Sequence, residues 1–268
     1  MPDQTATEAI IVTRQGAVAT LVINNPAKRN ALYLDLLADF MEALATLEKE
    51  DVRVLVVRGA GDKSFCSGFD ISAIPTRMPP SEFREKAPRN VVQEAIGALE
   101  HFPVPTIAMV NGHAYGAGCE LITACDLRVS VDAATFGMPP ARLGIIYSPA
   151  GLTRFLNLIG VAATKEMFFT AKPVDAPRAL ATGLVNHVVA REDLEEFVAR
   201  MAGAIAANAP LAVRGMKRII NACVEERPLS AKTEEEAFQL IAQSFASEDL
   251  VEGQAAFLEG RKPRFKGH

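Results

Sequence analysis

Short apolar runs alternate with helical repeats along the first 190 residues. Runs at 10–12 and 17–23 predict two β-strands joined by a turn at Gln15-Gly16, and Asn25-Pro26 ends the second strand. Four further runs predict buried strands, at 53–58, 105–110, 127–131 and 184–189.

Between these strands, apolar residues three and four positions apart predict helices. Asn30 is expected to cap the first, which reaches about residue 49 on the stripe Leu36, Leu37, Phe40, Met41, Leu44 and Leu47. The others are 91–101, one that begins near Gly116–Gly118, 149–159, 161–170 and 175–182. A loop is expected at 60–70 and an irregular segment at 75–90. Alternating strands and helices predict an α/β core.

After residue 191 the pattern is helical throughout, with predicted helices at 192–208, 211–225, 231–246 and 248–260. This change divides the expected architecture into an α/β core at 1–190 and an all-helical module at 191–268. The module carries apolar stripes that need a surface to cover, and another subunit would provide one.

Bulk properties exclude several classes of function. The chain has 268 residues, a net charge of −4 and a pI near 5.7, which argue against nucleic acid as a main partner. No apolar run has the length of a membrane span, and the polar N-terminus lacks the pattern of a secretory leader. The spacing of the four cysteines indicates neither a zinc site nor a disulfide framework, and that of the histidines indicates no metal site. A cytoplasmic protein is expected.

Two Gly-rich segments carry the candidate chemistry. The first, Phe65-Cys-Ser-Gly-Phe-Asp-Ile71, leaves a strand, and the second, Asn111-Gly-His-Ala-Tyr-Gly-Ala-Gly-Cys-Glu120, passes from a strand end into a helix. A Gly-rich turn that opens a helix exposes backbone N–H groups. Two such groups from different loops can converge on one oxygen and form an oxyanion hole.

Together these segments resemble the two signature loops of the crotonase (enoyl-CoA hydratase/isomerase) superfamily. The resemblance runs from about residue 10 to the C-terminus and includes Asn-Pro-x-x-x-Asn-Ala-Leu at 25–32. It implies a core of repeated ββα units, a C-terminal helical module, and a homotrimer or dimer of trimers. It also implies an acyl-CoA thioester as substrate, with no other cofactor, and backbone oxyanion donors at Phe69 and Ala117.

The resemblance also places the acid–base residues. Glu120 matches one of the two glutamates of family hydratases, and Pro140 stands where the second is expected. Proline has no proton to give or take, so a two-carboxylate addition of water lacks one partner. The alternative for Glu120 is a carboxylate at a helix N-terminus that makes ordinary hydrogen bonds.

The stretch from Met138 to Tyr147, residues 168–189 and the tail 256–268 resemble the methylmalonyl-CoA decarboxylase branch of the superfamily. That branch has a tyrosine at the position of Tyr147, near the carboxylate that leaves, and a histidine at the position of Phe69. Decarboxylation needs an oxyanion hole, a pocket for the carboxylate and a proton source. The expected role of Tyr147 is to orient the carboxylate by hydrogen bonding, and that of Glu120 or water is to take part in reprotonation. The alternative for Tyr147 is packing on helix 149–159.

The family resemblance further assigns residues to the binding of coenzyme A and the acyl group. They are Lys28, Arg29, Ser67, Gly68, Asp70, Ile71, Gly116, Pro140, Phe257 and Lys262. Adjacent cations at 28 and 29 suit a pyrophosphate, although a solvated pair after a turn has the same sequence. The alternative role for Asp70 is to stabilise the loop in which it lies.

Three functions follow from these residues. The first is an acyl-CoA lyase that forms a thioester enolate, most concretely by decarboxylation of a malonyl-type acyl-CoA. The second is an enoyl-CoA hydratase or isomerase with a single catalytic carboxylate. The third is an acyl-CoA-binding scaffold without turnover.

Overall fold

The computed structural model describes residues 8–74, 91–225, 232, 235–236, 247–259, 261 and 263–268. The strands are β1 Ile10–Gln15, β2 Val18–Ile23, β3 Val54–Gly59, β4 Ser64–Cys66, β5 Thr106–Val110, β6 His113–Tyr115, β7 Leu127–Val131, β8 Thr135–Gly137, β9 Val174–Asp175 and β10 His187–Val189. The helices are α1 Leu34–Leu47, α2 Val91–Glu100, α3 Ala117–Thr123, α4 Pro149–Thr170, α5 Ala176–Thr182, α6 Leu194–Ala206, α7 Pro210–Glu225 and α8 Glu248–Glu259.

The strands form two sheets. The larger has the order β1-β2-β3-β5-β7-β10, in which β1 and β2 pair antiparallel and every later pair is parallel. The smaller has the order β4-β6-β8-β9, with β4, β6 and β8 parallel. In three successive passes the chain places one strand in the larger sheet and the next in the smaller, and then enters a helix: β3-β4-α2, β5-β6-α3 and β7-β8-α4. These passes confirm the expected α/β core of repeated ββα units.

The core lies on the larger sheet. Strand β5 is buried at every position, and β3 at every position but Arg58, as expected of parallel strands covered on both faces. Helix α1 buries Leu36, Leu37, Phe40, Leu44 and Leu47, the stripe predicted for it apart from Met41. Leu194, Val198 and Ala202 of α6 join the same core.

Two sequence-based predictions in the first 70 residues were wrong. Asn30 does not cap α1, whose N-cap is Tyr33; it lies at φ 59° with its side chain buried. Asparagine tolerates this left-handed conformation better than most residues. Residues 60–70 are also not all loop, because Ser64–Cys66 form β4, a strand too short for alternation to reveal.

In the second half of the chain, the predicted helices agree more closely with the structure. Gly160, at φ 71°, breaks α4 at the point between the two predicted helices 149–159 and 161–170. Of the predicted strand 184–189, His187–Val189 form β10, and the Asn186 N–H donates to the Arg128 carbonyl of β7 just before it. The segment 75–90 and most of the predicted helix 231–246 lie outside the described residues. Within the described chain, no helix combines the length and apolar character needed to cross a bilayer.

Candidate active site

The loop after β4 presents a free backbone N–H at Phe69. The Leu32 N–H donates to the Gly68 carbonyl and the Asp70 N–H donates to the Leu32 carbonyl, both at 2.8 Å. This bridge uses the groups on either side of Phe69 and leaves its own N–H without an acceptor in the described part of the chain. Gly68 permits the turn because its φ is 99°, which side-chain-bearing residues rarely adopt.

A second free N–H lies at the start of α3. Gly116 is the N-cap at φ 52°, and Ala117 is the first helical residue, so its N–H has no intrahelical partner. The two loops touch: a Cβ on Gly68 would lie 2.8 Å from the Tyr115 carbonyl oxygen and 3.4 Å from the Ala117 nitrogen. The N–H groups of Phe69 and Ala117 therefore come from adjacent backbone segments, as an oxyanion hole requires.

Two buried asparagines hold the segment that leads into the first loop. The Asn30 amide donates to the carbonyls of Ala60 and Ser64, at 3.0 and 2.8 Å. Asn111 donates to the Gly59 and Gly61 carbonyls and accepts from the Gly59 N–H. Each side chain thus replaces backbone pairing that this irregular segment lacks. This role accounts for the second asparagine of the Asn-Pro-x-x-x-Asn motif and for the asparagine of the Asn-Gly motif.

Glu120 lies one turn into α3, and its side chain is fully buried. Gln93 Nε2 donates to both carboxylate oxygens, at 2.8 and 3.1 Å. Arg154 Nη1 donates to Oε1 at 2.8 Å, and the Tyr147 hydroxyl donates to Oε2. The structure therefore brings the two predicted catalytic residues into direct contact. Because Glu120 follows Ala117 by three residues, both lie on one face of α3.

Tyr147 is placed by the start of α4. Ser148 caps that helix through its hydroxyl, which accepts from the Gly151 N–H at 3.1 Å, and Pro149 follows at the first helical position. The ring packs edge-on against Phe168, with centroids 5.5 Å apart. Burial, and then the charge and hydrogen bond of Glu120, raise the pKa of the Tyr147 phenol well above its ordinary value. The hydroxyl therefore keeps its proton at neutral pH.

Sequence reasoning missed Arg154, Gln93 and Glu100. Arg154 Nε and Nη2 donate to Glu100 Oε2 at 2.9 and 2.7 Å, and Nη1 donates to Gln93 Oε1 at 2.8 Å. A single arginine in an amphipathic helix is usually a surface residue, so the sequence carried no signal for this role. The packing of α2, α3 and α4 brings Gln93 and Arg154 to Glu120, and Glu100 to Arg154.

Pro140 is buried and begins the short 3₁₀ helix Pro140–Leu143. The position where the family's second glutamate is expected thus presents only an apolar ring. A carboxylate-assisted addition of water has no second carboxylate at this position.

The residues predicted to bind coenzyme A are partly assembled around the first loop. Lys28 Nζ lies 3.1 Å from Asp70 Oδ2, and the Ser67 N–H donates to the Arg29 carbonyl at 3.1 Å. Asp70 also accepts from the hydroxyl and N–H of Ser72; these bonds, with that to Lys28, lower the pKa of the Asp70 carboxyl to about 2. These contacts tie the 28–29 turn to the 67–70 loop.

The remaining predicted binding residues are placed as follows. Ile71 is exposed beside the first loop, and the backbone of Phe257 belongs to α8. The Phe257 side chain and Lys262 lie outside the described residues. A role for any of these residues in binding coenzyme A stays a prediction.

The two cysteines inside the signature loops are buried thiols. Burial raises the pKa of Cys66 to about 12 and raises that of Cys119 further. A thiol held protonated in this way is a poor nucleophile. Among the described residues, no group of three or more His, Cys, Asp or Glu side chains is arranged to hold a metal ion.

We expect Gly151→Ala to damage the site. The new Cβ would lie 2.5 Å from Tyr147 Cε1 and 2.8 Å from Glu120 Oε1, which forces these groups apart. Such overpacking costs about 1–3 kcal/mol of stability, and turnover should fall at least about tenfold because small displacements of catalytic groups are costly. Gly203→Ala in α6 is the matched control, since nothing lies within 4 Å of its new Cβ. Thermal unfolding and turnover of both variants test this; equal behaviour would contradict it.

Repeated ββα units, two N–H groups without acceptors in the described chain and a buried glutamate match the arrangement expected from the family resemblance. The chain belongs to the enoyl-CoA hydratase/isomerase family, whose model matches residues 13–268. It is therefore a crotonase-superfamily enzyme that acts on acyl-CoA thioesters.

Relatives of this chain carry the names of different reactions. Methylmalonyl-CoA decarboxylase of Escherichia coli is 35% identical over 253 residues, which cover 94% of this chain and 95% of the relative. Crotonyl-CoA hydratase of Syntrophomonas wolfei is 38% identical over 264 residues, covering 97% and 98%. The crystal structure of enoyl-CoA hydratase from Bacillus anthracis superposes with a TM-score of 0.87 at 33% identity, covering 97% of this chain and all of that one.

Proposed function

We propose that this enzyme is a lyase that decarboxylates a malonyl-type acyl-CoA, such as methylmalonyl-CoA. One observation carries the proposal: the buried Pro140 stands where the second carboxylate is expected, so Glu120 is left without that partner. Addition of water needs a base for the water and an acid for the carbon. Loss of CO₂ needs no base to activate water, because breaking the bond to the carboxylate itself generates the enolate, which then requires only a proton.

The described residues supply what the remaining steps require. The thioester oxygen gains negative charge as CO₂ leaves, and the N–H groups of Phe69 and Ala117 stabilise that charge. The enolate carbon must then take up one proton. Tyr147 holds a proton and lies beside Glu120 on the face of α3 that carries Ala117. Lys28 and Arg29 would bind the phosphates of coenzyme A, and no further cofactor is required.

Hydration or isomerisation with a single carboxylate is the second candidate. Glu120 is retained at the start of α3, and the 38% identical relative is named a crotonyl-CoA hydratase. In that case water or a substrate group would act in the space beside Pro140. A scaffold that binds acyl-CoA without turnover is the third candidate.

The test incubates the purified protein separately with methylmalonyl-CoA, ethylmalonyl-CoA and crotonyl-CoA, and separates the thioesters by chromatography. We expect one malonyl thioester to lose CO₂ and crotonyl-CoA to remain unchanged. Hydration of crotonyl-CoA without decarboxylation would overturn the proposal in favour of the hydratase. Binding of all three without turnover would favour the scaffold.

Self-association is part of the proposal. Large apolar side chains lie on the surface of the described chain at Phe169, Ile146 and Ile220, which are 76%, 95% and 60% exposed. Apolar side chains of this size at the surface are typical of protein–protein contacts when they form a contiguous patch. The homotrimer or dimer of trimers that the family resemblance implies would cover exposed apolar side chains, and we propose that the assembly lies in the cytoplasm.

A further inference from the structure

We propose that Phe168 is a positioning residue for Tyr147. A reversal of the chain at Gly160 brings the Phe168 ring back to the site, where it fixes the direction of the Tyr147 side chain. The inference rests on the proposed function for the chemical role of the Tyr147 hydroxyl. The packing itself can be tested without substrate.

The segment that carries Tyr147 has little regular structure of its own. It lies between the 3₁₀ helix Pro140–Leu143 and the start of α4, and Gly144 follows the 3₁₀ helix at φ 70°. Ile146, directly before Tyr147, is 95% exposed. The cap at Ser148 fixes the backbone next to Tyr147, but the direction of the ring depends on its rotamer and hence on what the ring contacts.

Both ends of α4 contact the Tyr147 ring. In the first turn, a Cβ on Gly151 would lie 2.5 Å from Tyr147 Cε1 and 2.8 Å from Cδ1, so the ring lies directly against this backbone. In the last turn, Phe168 meets the ring edge-on, with centroids 5.5 Å apart and the two planes at 62°. Between these contacts, the hydroxyl donates to Glu120 Oε2.

Phe168 reaches Tyr147 because α4 reverses direction. In a straight α-helix, residues 155 and 168 would lie about 20 Å apart along the axis. The rings of Phe155 and Phe168 instead pack edge-on, with centroids 5.1 Å apart. The reversal occurs at Gly160, whose φ of 71° and ψ of 174° belong to a region that is essentially restricted to glycine. The second half of α4 therefore folds back on the first and carries Phe168 to the site.

Phe168 is itself held firmly enough to fix another ring. Its side chain is buried, Phe155 behind it is fully buried, and both belong to the hydrophobic core. The buried Thr164 donates its hydroxyl to the Gly160 carbonyl at 2.7 Å, which ties the second half of α4 to the bend. Close packing of this kind leaves a ring few other positions, so Phe168 presents a fixed surface to Tyr147.

A residue with no polar atom can influence the reaction only through the groups it holds. Small displacements of a catalytic group lower the rate steeply. If Phe168 acts by holding Tyr147, its loss matters while the Tyr147 hydroxyl is present and has no further effect once that hydroxyl has been removed. This dependence separates a positioning role from a general contribution to stability.

The experiment compares the wild type, Phe168→Leu, Tyr147→Phe and the double variant with methylmalonyl-CoA. Leucine keeps an apolar side chain but removes the ring, so kcat should fall at least about tenfold while KM changes less than about threefold. In the Tyr147→Phe background, Phe168→Leu should change kcat by less than about twofold, because the two substitutions act on one group.

Phe40→Leu is the matched control. Phe40 is also a buried ring, but it lies in α1, which contributes no residue to the site. Both Phe→Leu variants should lower Tm, since each leaves a cavity in the core. The kcat of Phe40→Leu should stay within about twofold of the wild type. If Phe168→Leu does not fold, Phe168→Met serves instead, because methionine fills irregular space without a ring.

A second readout needs no substrate. The crystal structure of Phe168→Leu should show the Tyr147 hydroxyl beyond hydrogen-bond distance of Glu120, or the Tyr147 ring in more than one rotamer. An unmoved Tyr147, a kcat equal to that of Phe40→Leu, or an undiminished effect in the Tyr147→Phe background would overturn the inference. A displaced Tyr147 in an enzyme whose wild type decarboxylates no malonyl thioester would overturn the proposed function and support the packing role of Phe168.

Discussion

Tyr147→Phe is expected to lower kcat/KM for decarboxylation by about 10²–10⁴, the usual contribution of a positioned proton donor. Phenylalanine keeps the edge-on packing against Phe168 and fills the same space, so the fold should persist. Among the described residues, the substitution removes the one hydroxyl that donates to Glu120. Because the proton moves after substrate has bound, kcat should fall more than KM rises.

Tyr115→Phe is the control for this prediction. It also deletes one tyrosine hydroxyl, which hydrogen-bonds Thr135 at 2.8 Å and does not contact Glu120. We expect its turnover to stay within about threefold of the wild type, since one partly buried neutral hydrogen bond contributes modestly. Chromatographic loss of the malonyl thioester measures both variants. Activity of Tyr147→Phe within the range of Tyr115→Phe would remove Tyr147 from the mechanism.

Hydrophobic pattern was enough to find the larger sheet. Runs such as 54–57 and 106–110 are continuous and apolar, so they identify buried strands directly. The hydrophobic pattern did not predict the smaller sheet, because β6 and β8 contain only three residues each. Their pairing also depends on contacts between distant parts of the chain. From the sequence, the repeated ββα units followed only from the family resemblance.

Some residues of the candidate site could be predicted from the sequence and others could not. Glu120, Tyr147 and the two glycine-rich loops could be found because their residue types and order are distinctive. Arg154 and Gln93 could not, because each belongs to a helix whose neighbours in sequence say nothing about Glu120. For Asn30 the sequence predicted a role, that of a helix cap, which the structure does not show. Asparagine before a helical repeat favours a cap, but here burial and two carbonyl acceptors determine its conformation.

A free N–H at residue 117 is central to the proposed chemistry, and Ala117→Pro removes it at a position that otherwise suits proline. Ala117 is the first residue of α3, where the ring of proline fits the helix and no intrahelical hydrogen bond is lost. The enolate oxygen would keep only the Phe69 donor. Loss of one such donor costs about 10²–10³ in kcat, and we expect that reduction.

Ala117→Gly separates this effect from any change in side chain. Ala117→Gly keeps the backbone N–H that Ala117→Pro removes, so its kcat should stay within a few-fold of the wild type. Thermal unfolding checks that both variants keep the fold, and turnover of the malonyl thioester compares their kcat values. A folded Ala117→Pro enzyme with the activity of Ala117→Gly would mean that this N–H does not stabilise the enolate. The oxyanion hole would then have to be sought elsewhere on the loop that contains Phe69.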